Sequence, residues 1–168
     1  MKPLTAELPY PCIDCLTTDL RSGQIISFAY AGLNGELTAI LQYSYHKLHF
    51  AAVNEADAEL LERIAIAEMT HLEILGKSML KLGVNPLYLQ YPNSNKYYVA
   101  SDVSRAYTPT KMLMDDVMSE LNAIAEYKKM LFVLTNEQVQ AIIQRIILDE
   151  EVHLETLKGM LQKYSKTQ

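Results

Sequence analysis

The chain has 168 residues, about half of them hydrophobic, with six Gly and no Trp, which fits one domain with mass enough for a sizeable core. A formal net charge of −5 leaves no basic surface for nucleic acid, and no apolar run reaches the roughly 18 residues a membrane span needs, so neither partner is expected. The N-terminus carries Pro, Asp and Glu in place of a charged-then-apolar leader, and a cytoplasmic protein is the expectation.

Pro3, Pro9 and Pro11 oppose helix, so residues 1–22 read as an irregular arm. The arm holds both cysteines, in Cys12-Ile13-Asp14-Cys15. A single C-x-x-C fits redox work, or half of a four-cysteine metal site completed across a symmetry axis. Two reduced, half-buried thiols are the simpler expectation. One helix is expected over residues 23–52, with Ala29, Leu33, Ala39, Ile40, Tyr43 and Leu48 on its apolar face and Glu36 among them. A second helix starts at Asn54, an N-cap with Asp57 at N3, and stops at Gly83.

Residues 84–107 break the helical pattern with Pro86, Pro92, Asn93, Asn95 and five tyrosines: Tyr88, Tyr91, Tyr97, Tyr98 and Tyr107. A connection this long makes sense if it travels the length of a bundle, with the tyrosine rings covering helix surface or a subunit interface. Thr108-Pro109 opens a third helix, striped by Leu113, Val117, Leu121, Ile124, Tyr127 and Leu131, with Glu120 on the same side. Asn136 caps a fourth helix running to about Lys163, and residues 164–168 read as a frayed polar tail.

The fourth helix carries the strongest signal. Its apolar stripe (Val139, Ile142, Ile143, Ile146, Ile147, Leu154, Leu157, Leu161) is interrupted by Glu150 and His153. A core-facing Glu is costly unless its charge is compensated. Residues three apart share one helix face, so a carboxylate and an imidazole in this spacing can grip one metal ion from the same side. The second helix repeats the pattern as Glu68-Met69-Thr70-His71, in a stripe of Leu61, Ile64, Ala65, Leu72, Leu75 and Met79. His71-Leu72-Glu73-Ile74-Leu75 aligns with His153-Leu154-Glu155-Thr156-Leu157, which indicates an internal duplication. Glu36 to Glu120 and Tyr43 to Tyr127 are each 84 residues apart, and Glu68 to Glu150 and His71 to His153 each 82. Four carboxylates turned into one core repel one another unless cations neutralise them. Oxygen-rich ligation with one imidazole per ion suits iron or manganese better than zinc, and two such ions are expected.

Over residues 23–163 the chain resembles the ferritin-like superfamily, and within it rubrerythrin-type di-iron domains and manganese catalases. The matching residues are Gly35-Glu36-Leu37-Thr38-Ala39, Glu68-Met69-Thr70-His71, Glu120 with Tyr127, and Leu148-Asp149-Glu150-Glu151-Val152-His153. The resemblance implies an all-α, ferritin-like four-helix bundle with a long crossover between helices 2 and 3. It implies metal ligands at Glu36, Glu68, His71, Glu120, Glu150 and His153, with Glu68 and Glu150 bridging. Tyr43 and Tyr127 would be tyrosines close to the ligands, or simply core residues with a satisfied hydroxyl. Rubrerythrins have a further Glu three residues before the position of Glu120, where this chain has Val117, and Asp116 is not expected to replace it.

The implied activity is that of a dinuclear oxidoreductase. It would reduce or disproportionate hydrogen peroxide, or react with dioxygen, with electrons from an external electron-transfer protein or relayed by Cys12 and Cys15. A ferroxidase or iron-storage protein is the alternative, and a metal-free structural bundle the third. A small oligomer, a homodimer, is expected. Asp149 reads first as a surface residue, with a hydrogen bond to the outer nitrogen of a ligand His as the alternative. His46 and His49 read as surface or capping residues. Glu62, Glu73, Glu126 and Glu155 fall off the ligand face and read as solvated or ion-paired.

Overall fold

The structure is a computed structural model that describes residues 1–92 and 94–166. Its helices are α1 (Leu20–Ala31), α2 (Glu36–Ala51), α3 (Glu55–Lys81), α4 (Pro109–Val133) and α5 (Glu137–Ser165). Among the described residues the only β feature is a bridge between Leu89 and Tyr97. Helices α1 and α2 follow one another antiparallel to α3 and together make the first rod of a four-rod bundle. Gly23 of α1 sits against Leu82 and Val84, Gly76 of α3 touches the Tyr30 ring, and Lys47 of α2 reaches Glu62 at 2.6 Å.

The first rod is therefore not the single helix expected over residues 23–52. Gly32 is fully extended (φ −71°, ψ −179°) and Gly35 is the N-cap of α2. A Cβ on Gly35 would lie 2.5 Å from the Ala29 carbonyl oxygen, so the joint closes only around glycine. Two residues expected in the core of this rod are exposed: Leu33, which falls in the joint, and Leu48 on α2. Glu36 becomes the first residue of α2, where the free N–H groups of the helix end favour a carboxylate. The arm ends earlier than expected, because Asp19 already caps α1 by accepting from the Ser22 N–H at 3.1 Å.

The other boundaries follow their capping signals. Asn54 accepts from the Asp57 N–H at 3.1 Å, and Gly83 takes the left-handed conformation (φ +89°) that ends α3. Asn136 accepts from the Gln138 and Val139 N–H groups. Helix α5 continues to Ser165, and the Tyr164 hydroxyl donates to Asp57, so this part of the expected tail is helical and anchored. Residues 167 and 168 of that tail, and Asn93 of the crossover, lie outside the described residues. In the crossover Tyr88 stacks on Tyr30 with centroids 5.4 Å apart, but Tyr88, Tyr91, Tyr97 and Tyr107 are exposed on the single chain.

Two apolar clusters occupy the two ends of the bundle. One joins Ile26 and Tyr30 to Leu75, Met79, Ile142 and Ile146. The other joins Tyr43 and Phe50 to Leu61, Ile64, Leu113 and Leu157. Between them, in the register of every rod, lies a buried polar layer: Glu36 on α2, Glu68 and His71 on α3, Glu120 on α4, Glu150 and His153 on α5. The clusters supply the burial free energy that holds this charged layer out of water.

Candidate metal centre

All six residues picked out by spacing are buried and converge. They form two overlapping groups, Glu36, Glu68, His71 and Glu150, and Glu68, Glu120, Glu150 and His153, with one ligand atom of each residue within 4.8 Å of the others in its group. Glu68 and Glu150 belong to both groups. Each histidine thus belongs to one group, and one further carboxylate completes each, Glu36 with His71 and Glu120 with His153.

Each imidazole turns Nδ1 toward several carboxylates. His71 Nδ1 lies 3.1 Å from Glu68, 3.3 Å from Glu150 and 3.6 Å from Glu36. His153 Nδ1 lies 3.0 Å from Glu68, 3.0 Å from Glu150 and 3.9 Å from Glu120. One N–H can serve only one of three oxygens, whereas a cation can serve all three. Glu68 Oε1 accepts no aligned hydrogen bond although it is fully buried, which is an orphaned acceptor directed at the same place. The donor set therefore fits oxygen-preferring metal ions, with one imidazole nitrogen in each group.

The outer nitrogens fix the tautomers. His153 Nε2 donates to the Leu4 carbonyl at 2.8 Å, and His71 Nε2 donates to Asp149 at 3.0 Å. Both acceptors require the proton on Nε2, which leaves the Nδ1 lone pair for a cation. Asp149 is fully buried, so the surface reading of this residue is wrong. It also accepts from the Tyr10 hydroxyl at 2.6 Å and the Ala6 N–H at 2.7 Å, and pairs with Arg145 at 2.6 Å. Arg145 in turn donates to the carbonyls of Leu8 and Ala6. The N-terminal arm thus supplies the outer acceptor of His153 directly, and braces that of His71 by bonding to Asp149 through Ala6 and Tyr10. Sequence reasoning missed Arg145 and the arm. The i, i+4 pairing of Arg145 with Asp149 was a readable signal, and the backbone carbonyl of Leu4 was not.

Tyr43 and Tyr127 are buried against Glu120 and Glu36, crosswise. Tyr43 donates to Glu120, and Tyr127 donates to Glu36. His46 departs from its expected surface role: it is fully buried, with Nδ1 2.8 Å and 2.9 Å from the two oxygens of Asp116. Gln42 donates to the same carboxylate at 2.9 Å. Asp116 falls in neither ligand group, as expected. His49 is part-exposed near the end of α2, edge-on to Tyr45. Glu62, Glu73, Glu126 and Glu155 each pair with a lysine at the surface.

Protons hold the layer together without a cation. Burial, then the charges of Glu68 and Glu150, push Glu36 well above the usual carboxylate range, and burial with the same two neighbours does so for Glu120. Burial also opposes the charge of Glu68, but the nearby His153 imidazolium, with the close contacts of Glu36 and His71, outweighs it and holds Glu68 well down. Burial lowers both imidazoles, and the carboxylates outweigh it: Glu150 and Asp149 foremost for His71, Glu68 and Glu150 for His153. Burial likewise opposes Asp149, and its bonds from His71, Arg145 and Tyr10 bring it down to about 2.

Four rods that enclose a carboxylate-rich layer with two histidines define a helical bundle built to hold metal ions. The chain belongs to the ferritin-like domain family, whose model matches residues 31–167. It is similar in fold to KatB, a manganese catalase from Anabaena PCC7120, with a TM-score of 0.84 and 20% identity over 95% of this chain and 80% of that one. It is also similar to a bacterioferritin from Rhodobacter capsulatus with a metal-free dinuclear site and haem iron. There the TM-score is 0.71 and the identity 22%, over 90% of this chain and 89% of that one. No curated protein sequence matches it. No helix among the described residues is long and apolar enough to cross a membrane.

Proposed function

We propose that the chain holds two iron or manganese ions and acts as an oxidoreductase on hydrogen peroxide or dioxygen. The observation that carries this reading is the sharing of Glu68 and Glu150 between two groups that each contain one histidine. Glu68 and Glu150 would be shared between the two ions, and the ions would supply redox chemistry toward a small oxygen species.

The chain's own residues do the rest. Glu36 with His71, and Glu120 with His153, complete one site each. Asp149 and the Leu4 carbonyl keep both imidazoles in the ligating tautomer. Tyr127 and Tyr43 hold protons against Glu36 and Glu120. The two apolar clusters exclude bulk water. A pocket at the joint between α1 and α2, lined by Phe28, Gly32, Leu33, Met130 and Tyr127, has in its wall the side chain that holds Glu36 and suits a small substrate.

Oxygen release on adding peroxide to the metal-loaded chain without a reductant tests the disproportionation branch. Peroxide consumption that requires an electron donor marks the reduction branch, and consumption in neither condition overturns both. The second reading is a ferroxidase that stores iron, favoured by the fold shared with a bacterioferritin. A storage protein assembles as a large closed cage, whereas the enzyme reading goes with a homodimer in the cytoplasm, and size-exclusion chromatography separates the two.

A further inference from the structure

The turn carrying Cys12 and Cys15 plays no part in the buried layer. Both thiols are exposed, which corrects the half-buried expectation, and both are free, with their Sγ atoms 2.8 Å apart. A disulfide bond is about 2.05 Å long, so the pair closes with little movement of the chain. The turn is well held: the Leu16 N–H donates to the Ile13 carbonyl at 3.1 Å, Leu16 is buried, and Asp14 pairs with Lys81 at 2.9 Å. A groove between this turn and α3, lined by Pro11, Ile13, Lys77, Leu80 and Lys81, leads to Cys12. Hydrogen bonding from Cys15 pulls the Cys12 thiol down, and the same contact pushes Cys15 up.

The position of the pair gives it a use. Two residues before Cys12, Tyr10 donates to Asp149, and its ring lies edge-on to His71 with centroids 6.4 Å apart. Two residues span at most about 7 Å of chain. The dithiol therefore sits on the segment that touches a histidine of the buried layer.

We propose that Cys12 and Cys15 form a reversible dithiol–disulfide site through which an external dithiol delivers electron pairs to this protein. In the recharging step, a thiolate of the external dithiol attacks the Cys12–Cys15 disulfide and releases one cysteine. Its second thiolate then resolves the mixed disulfide and releases the other. The external dithiol leaves as a disulfide, and two electrons and two protons have passed to this chain. The use of those electrons rests on the function proposed above: one peroxide and the two thiols give two waters and one disulfide.

The test reads thiols, not turnover. The full chain, without metal, is equilibrated in buffers of reduced and oxidised glutathione, quenched in acid and alkylated with a maleimide that shifts its mass. Both thiols are expected to disappear together in one two-electron transition, with a slope of about 30 mV per tenfold change in ratio. Thiols that stay reactive in the most oxidising buffer, or that give only glutathione adducts, overturn the proposal. In a second arm peroxide is added to the metal-free and the metal-loaded chain, and disulfide formation is followed by the same mass shift. Formation at least tenfold faster in the loaded chain is expected, and equal rates overturn the link between the thiols and the layer. A chain that takes up no metal overturns the reading of the buried layer and with it that link, while the glutathione titration still decides the couple itself.

Discussion

Tyr43 lies seven residues after Glu36 on one helix, yet its hydroxyl is bonded to Glu120 on another, and Tyr127 returns the exchange to Glu36. Each tyrosine therefore serves the carboxylate of the opposite half. Replacing Tyr43 with Phe leaves a buried Glu120 oxygen without its donor, at a cost of about 1–3 kcal/mol to the metal-free fold. The lost hydrogen bond had also favoured the Glu120 carboxylate, so Tyr43→Phe weakens the ion held by Glu120 and His153. Tyr127→Phe weakens the other ion. Urea unfolding and metal titration of the two variants check this, and equal weakening of both ions by either variant contradicts it.

Asp149→Asn removes the charge that orients His71 and leaves Arg145 buried without its counter-ion. Breaking a buried pair from one side costs about 3–5 kcal/mol, and loss of an outer partner of a ligand histidine lowers metal affinity by about 10–100-fold. His153 depends instead on the Leu4 carbonyl. Deleting residues 1–5 is therefore expected to weaken the ion at His153 while His71 keeps its bond to Asp149. Isothermal titration of each variant with Mn(II) reads the two effects separately.

The sequence announced the polar layer because its members break apolar stripes at helical period, and do so twice. Glu68 and His71 point the same way as Leu61, Ile64 and Leu75, and no surface helix explains that. The break at residues 32–35 was spelled out by Gly32, Asn34 and Gly35, but the apolar period continues from Ala29 to Ile40 across it and masks the joint. The sequence reading takes His46 as a surface or capping residue and Asp116 as no replacement ligand, and does not pair the two. His46 lies three residues after Tyr43 and Asp116 four before Glu120, so both share the faces of buried neighbours. The arm was the least legible part. Its contacts join residues 4, 6 and 10 to residues 149 and 153, and two of those residues act through backbone atoms that no side chain encodes.

The pH dependence of the metal-free fold follows from where its protons sit. Glu36 and Glu120 keep protons in the folded state at pH values where the unfolded chain, with a usual value of 4.5, has lost them. His71 and His153 are raised above 6.5, so their contribution is complete below that pH and is lost as pH rises through their folded values. Glu68 is depressed and contributes in the opposite sense, a contribution lost only as pH falls below 4.5 toward its folded value. Above the usual imidazole value of 6.5 the folded state holds extra protons, and stability falls with rising pH, by up to about 1.4 kcal/mol per unit for each such group, until its folded value is passed.

Cations displace the same protons, so metal binding strengthens as pH rises. The melting temperature of the metal-free chain is expected to fall across this range while the gap between the loaded and metal-free chains widens. Calorimetry at four pH values checks both trends. A metal-free chain that grows more stable toward about pH 9 contradicts the proton placement.

The most direct test of the dinuclear reading is anomalous scattering at the manganese and iron absorption edges, on one crystal of the chain loaded with either metal. Two peaks are predicted. One lies within bonding reach of Glu36 and His71, the other of Glu120 and His153, and both within reach of Glu68 and Glu150. A single peak, or two ions that do not share Glu68 and Glu150, would contradict the account.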